Sequence, residues 1–186
     1  MYVQKMKSLK LGAIRSDSQL QRQRGASLLE GIAYLGIAAI VVMGAISLLT
    51  GAFSSAKSNQ ANEEVIGLRT AVRKLYMGQV YPTTGVVGTL ITAKAAPGTL
   101  TADSAAGTLK NSWGGTVDVA GNGTGFTITY NAIPKDVCVN MVSGANGWTN
   151  IKVNGGTDIQ VFPATASDAT TNCTSDTGNV VIYTST

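Results

Sequence analysis

Few side chains in this sequence could do chemistry. Cys138 and Cys173 are its two cysteines. They form one disulfide if the chain is exported to an oxidising compartment, or stay as two buried thiols if it is not. Glu30 stands at the head of an uncharged run, Gly31–Phe53. A carboxylate in such a segment is costly unless it is paired or functional. There is no histidine, which removes Ser-His and Cys-His nucleophile pairs and the usual zinc ligand sets. No GxGxxG, P-loop, CxxC or HExxH pattern occurs. The stretch "GNGTG" shares only its composition with a phosphate loop and reads as a hairpin turn. The loop aspartates and serines show no metal-ligand spacing. The sequence therefore predicts no enzyme, no cofactor and no metal. What it offers is one charge in an apolar segment and one possible crosslink.

The element that carries Glu30 is set by charge and length. The formal charge of +4 comes from the first 25 residues, which hold Lys5, Lys7, Lys10, Arg15, Arg22 and Arg24 against Asp17 alone. From Ala26 onward there are eight basic and nine acidic side chains, so the basic balance is a leader and not a nucleic-acid surface. The 23 residues Gly31–Phe53 make a helix of roughly 34 Å at about 1.5 Å per residue, enough for a hydrocarbon core of ~30 Å. With the basic residues on its N-terminal side, positive-inside asymmetry keeps the leader cytoplasmic and sends the C-terminal part outward.

Three readings compete for this segment. A secretory signal peptide would use the small-x-small pair Ser54 and Ala56 in "FSSAKS", but its apolar stretch runs about 7–15 residues, shorter than this one. A plain membrane anchor explains length and orientation, and leaves Gly25 and Glu30 as accidents. The third reading uses both. The stretch "RGASLLEGIAYLGIAAIVV" resembles the prepilin signature of type IV pilins, over residues 22–53 specifically and loosely beyond.

That resemblance implies a leader, residues 1–25, cut by a prepilin peptidase after Gly25, with N-methylation of the new first residue, Ala26. Glu30 is then fifth in the mature chain, where the family uses it in assembly, paired with the Ala26 amine of a neighbouring subunit. The first turn of a helix also favours a carboxylate through the macrodipole. The long leader is similar to the type IVb branch, and alanine departs from the commoner aromatic or large aliphatic first residue. With an exported head, the resemblance implies a Cys138–Cys173 disulfide.

Beyond Phe53 the helix is predicted to continue. Ala61, Val65, Leu68, Val72 and Leu75 recur at three- and four-residue steps, the mark of an amphipathic helix, with Gly78 as its stop. The helix spans about residues 26–77. Leu28, Leu35, Val42 and Leu49 form one seven-residue stripe, and Gly31, Ala38, Ala45 and Ala52 a small one beside it, which suits close packing of copies.

Residues 79–115 read as a long loop with one short helix near Ala102–Leu109. Thr116–Val119 and Phe126–Tyr130 read as a hairpin turning at Asn122-Gly123. Pro134 to Gly144 reads as a short helix carrying Cys138, Asn154-Gly155-Gly156 as a turn between two strands, and the C-terminal "NVVIYTST" as a last strand. The expected fold is α+β, the type IV pilin fold, with the long helix packed by its C-terminal half on an antiparallel sheet. Its divisions are 1–25 leader, 26–53 transmembrane and filament-core helix, 54–77 amphipathic half, and 78–186 globular head with one disulfide.

The resemblance implies a major pilin of a type IVb pilus serving adhesion, aggregation or conjugative mating. Its expected partners are copies of itself, the prepilin peptidase and methylase, the pilus assembly machinery, the bacterial inner membrane before assembly, and a host or recipient cell surface. Minor pilin, secretion-system pseudopilin and non-polymerising membrane-anchored binding domain are the alternatives.

Overall fold

The computed structural model describes the backbone of residues 24–186 and, within the first helix, side chains from residue 28 onward. Residues 1–23 of the predicted leader, residues 1–25, lie outside the described residues. One helix, α1 (Arg24–Leu75), runs for 52 residues. Arg73 and Lys74 occupy its last turn, where cations complement the carbonyl end of the dipole. The helix leaves at Tyr76, two residues earlier than predicted, through a turn in which Gly78 takes φ +75°.

The chain divides into two units after Ser47. Before that point the described residues are bare helix. From Leu48 to Thr186 the rest of α1 shares one core with a sheet and three short helices. Ala61, Val65, Leu68 and Val72 are buried there, and Leu75 is partly covered. The predicted face of the helix is therefore the one that meets the sheet.

The short helices are α2 (Val86–Thr92), α3 (Lys135–Ser143) and α4 (Ala166–Asn172). The strands are β1 (Thr101–Asp103), β2 (Thr108–Lys110), β3 (Thr116–Gly121), β4 (Phe126–Ile133), β5 (Asn150–Val153) and β6 (Asn179–Ser185). They form one six-stranded sheet in the order β1-β2-β3-β4-β6-β5, antiparallel at every pairing. In β3 the side chains alternate strictly between exposed and buried, as in a sheet with one face on the core. Phe126, Ile128 and Tyr130 of β4, with Val181 and Tyr183 of β6, supply the central inward residues.

The α+β class and the helix-on-sheet packing are as predicted, and several elements differ. Residues 79–115 are not a loop with a helix near Ala102–Leu109. They hold α2 and the β1–β2 hairpin. The alanines of "DSAAG" favour helix by propensity, but the Asp103 carboxylate accepts from the Ala105 and Ala106 N–H groups, and Gly107 takes φ +64°. Side-chain capping of a turn outcompetes a short helix there. The β3–β4 turn spans four residues, Asn122–Gly125. The Asn122 carboxamide accepts from the Gly125 N–H, and the Asn122 N–H donates to the Gly125 carbonyl. Gly121 is required beside it, because a Cβ there would lie 2.3 Å from the Tyr81 carbonyl oxygen.

Pro134 caps α3 rather than opening it. The second strand expected after Asn154-Gly155-Gly156 is reduced to a single bridge, Ile151 to Ile159, on the edge of β5 away from β6. α4 was not predicted. Its Thr165 cap accepts from the Asp168 N–H, and "TASD" is the sequence signal that marks such a start.

Candidate functional site

The N-terminal half of α1 is the first candidate. Every side chain described from Ile32 to Phe53 is exposed, and the class of residue left bare is large and aliphatic: Leu35 is 72 % exposed, Ile40 70 % and Leu48 80 %. The helix is long and apolar enough to cross a membrane, with a mean hydropathy of 2.4 over its best window. Leu28, Leu35, Val42 and Leu49 are all uncovered, as are Ala38, Ala45 and Ala52. Among the described residues nothing covers this stripe, and an apolar patch of that extent is the kind that marks an interaction or membrane surface.

Glu30 lies on this half, exposed. Its one partner among the described residues is the Tyr34 hydroxyl, which donates to Oε1 at 3.3 Å from one turn further along. No cation faces it among the described residues, whose one ion pair is Lys152 with Asp158 at 3.0 Å. The backbone of Gly25 and Ala26 is helical, since α1 begins at Arg24.

The second candidate is the crosslink. Cys138 on α3 and Cys173, which caps α4, are both wholly buried and joined as a disulfide with Cα atoms 5.9 Å apart. Two asparagines, Asn179 and the Asn154 that the sequence offered only as a turn residue, hold the surrounding loops. Asn179 is completely buried. Its amide donates to the Ile133 and Ser175 carbonyls, and its carbonyl oxygen accepts from the Ser175 N–H and the Asn154 amide. Asn154, at φ +51°, also donates to the Asn172 carbonyl and accepts from the Val180 N–H. An asparagine is often just a turn residue, so composition alone does not reveal this pair.

The helix is locked to the sheet by arginines. The Arg69 guanidinium lies 4.6 Å from the centre of the Trp148 ring and donates to the Ser185 hydroxyl and the Gly147 carbonyl. Arg73 reaches the same hydroxyl at 3.1 Å. Burial, and then the like charge of Arg73, pull Arg69 below the usual guanidinium range. Burial pushes the Tyr183 hydroxyl far above the usual phenol range, and it pushes Tyr130 likewise with help from the Glu64 charge. Among the described residues, no three His, Cys, Asp or Glu side chains gather as a metal would need.

A helix with one bare apolar half and one half seated on a disulfide-bonded antiparallel head defines a type IV pilin. The family model described as "PilS N terminal" matches residues 55–186, and the chain belongs to that family. It is similar to the major structural subunit of bundle-forming pilus of Escherichia coli O127:H6 (strain E2348/69 / EPEC), 29% identical over 156 residues, or 79% of this chain and 80% of the relative. It is also 29% identical over 181 residues to the major structural subunit of bundle-forming pilus of Escherichia coli O111:H-, covering 87% of this chain and 93% of the relative. Both relatives are structural subunits, and with them this pilin is a structural protein and not an enzyme.

Proposed function

We propose that this chain is the major subunit of a type IVb pilus, polymerising with copies of itself through the bare half of α1. The observation that carries the reading is that surface. A helical stripe of large apolar side chains, uncovered from Ile32 to Phe53, needs lipid before assembly and other copies of the same stripe afterwards. Residues 1–25 act as the leader, removed after Gly25 by a prepilin peptidase that also methylates Ala26. The precursor sits in the bacterial inner membrane, with residues 26–53 in the bilayer and residues 54–186 outside. The pilus assembly machinery then lifts it into an extracellular filament. The filament serves adhesion, aggregation or conjugative mating, contacting a host or recipient cell.

Cleavage creates an ammonium on Ala26, four residues from Glu30. Within a filament, the Glu30 carboxylate of one subunit pairs with that ammonium on another. In an apolar core an unpaired carboxylate is strongly disfavoured, so the pair selects the docked register.

N-terminal mass spectrometry of the mature protein tests the processing, with methylated Ala26 as the expected first residue. A mature protein starting at Lys57 would point to ordinary signal peptidase and end the pilin reading of the N-terminus. Glu30→Ala should be cleaved and stable in the membrane, with few or no filaments in sheared fractions. Wild-type filament numbers from that variant would remove Glu30 from assembly. Wild-type sheared filaments in which this chain is scarce would make it a minor pilin.

A further inference from the structure

We propose that Tyr34 positions Glu30 for assembly, its hydroxyl holding one carboxylate oxygen so that the other stays free for the ammonium of a second copy. The inference rests on the assembly role of Glu30 proposed above and adds the residue that prepares it.

Four observations converge. The Tyr34 Oη donates to Glu30 Oε1 at 3.3 Å. The two residues are four apart on α1, the spacing that places side chains on one face in adjacent turns. Residues 31–46 contain no other polar side chain, so Tyr34 is the one side-chain donor that stretch can offer to the carboxylate. Finally, Tyr34 is 65 % exposed, outside the folded head, so its hydroxyl has no structural task there.

The contact serves two stages. In the membrane, a carboxylate without water gains from any hydroxyl donor. During docking, an unrestrained glutamate must give up rotamer freedom over three torsions. A glutamate already held through Oε1 has given up much of it. An ionised carboxylate accepts at both oxygens, and Oε2 has no partner among the described residues, so an incoming ammonium does not have to displace Tyr34. The competing explanation is that Tyr34 is an interfacial aromatic, a placement common at membrane boundaries. That role uses the ring and tolerates phenylalanine. Positioning of Glu30 requires the hydroxyl.

Tyr34→Phe separates the two. The variant should be processed and held in the inner membrane at the wild-type level. Its filament yield should fall on the order of tenfold, as expected for losing a hydrogen bond to a charged group. A spectroscopic readout reports the contact without assembly. Full-length mature pilin is placed in phosphatidylethanolamine–phosphatidylglycerol vesicles, and the Tyr34 C–O stretch is isolated by infrared difference against Tyr34→Phe. The same difference is then taken in a Glu30→Ala background, and the band should move. An unmoved band would overturn the contact. Wild-type filament numbers from Tyr34→Phe, or a membrane level that falls in step with its filaments, would overturn the positioning role. Wild-type filaments from Glu30→Ala would instead overturn the assembly reading beneath it, whatever the band does.

Discussion

Asn179 satisfies four hydrogen bonds from a fully buried position. Asn179→Ala would leave the Ile133 carbonyl and the Ser175 N–H short of partners, and a buried unsatisfied group costs about 1–3 kcal/mol. The expected loss is about 3 kcal/mol, read as a lower urea midpoint at unchanged slope for the full-length pilin in detergent. An Asn179→Ala midpoint matching wild type would show that water replaces the amide. Arg69 behaves differently because its charge lies over Trp148. Arg69→Lys keeps the charge but loses the planar fork that reaches Ser185 and Gly147, so we expect a loss of about 1–2 kcal/mol. Trp148 fluorescence during denaturation reports it directly.

At the scale of the element, α1 carries two kinds of leucine on one helix. Leu68 is wholly buried and Leu35 is 72 % exposed. Leu68→Ala should destabilise the head by about 2–5 kcal/mol, the range for emptying a packed core position. Leu35→Ala should leave the denaturation midpoint of the head unchanged, and lower filament yield if the proposed packing of copies holds, because Leu35 is not part of the head core. Equal effects of the two substitutions on the head would mean that the N-terminal half is not free. The small stripe argues the same way. Its glycine, Gly31, has nothing within 4 Å of where a Cβ would stand, so within the subunit its small size is not required by packing.

For the whole molecule, the Cys138–Cys173 bond closes a loop with a sequence separation of 35. In the chain-entropy model that is worth about 3.5–4 kcal/mol. Cys173→Ser should therefore lower head stability by that order, and subunit yield with it, as seen in denaturation with and without reductant. Reductant that leaves the wild-type midpoint in place would contradict this. Alkaline pH acts on the whole core as well. Tyr130 and Tyr183 are raised above the usual phenol range by burial, so the fold holds them neutral. The stability from each is complete below the unfolded-state value near ~10 and is lost as pH rises above it. Unfolding free energy should fall above about pH 10, by up to ~1.4 kcal/mol per pH unit for each tyrosine. Tyr183→Phe should flatten that decline in pH-dependent denaturation.

Features that are local or periodic can be read straight from the residues. Ala61, Val65, Leu68 and Val72 announced the buried face because a helix repeats every 3.6 residues wherever it packs. The alternation of Thr116–Val119 and Phe126–Tyr130 announced β3 and β4, since a one-sided sheet needs period two. The bare stretch up to Phe53 was legible from length and charge alone. Tertiary structure decided what depends on distant partners. β1 and β2 are three residues each, too short to show alternation, and β1 is wholly exposed, so pairing with β2 and not burial makes it a strand. β5 took its full ladder from the distant β6, while the segment just after Asn154 met it only at the Ile151–Ile159 bridge. The hub at Asn179 depends on where the distant Ile133 carbonyl and Asn154 amide fall. No residue type encodes that by itself, because hydrogen bonds are set by geometry that only the folded chain supplies.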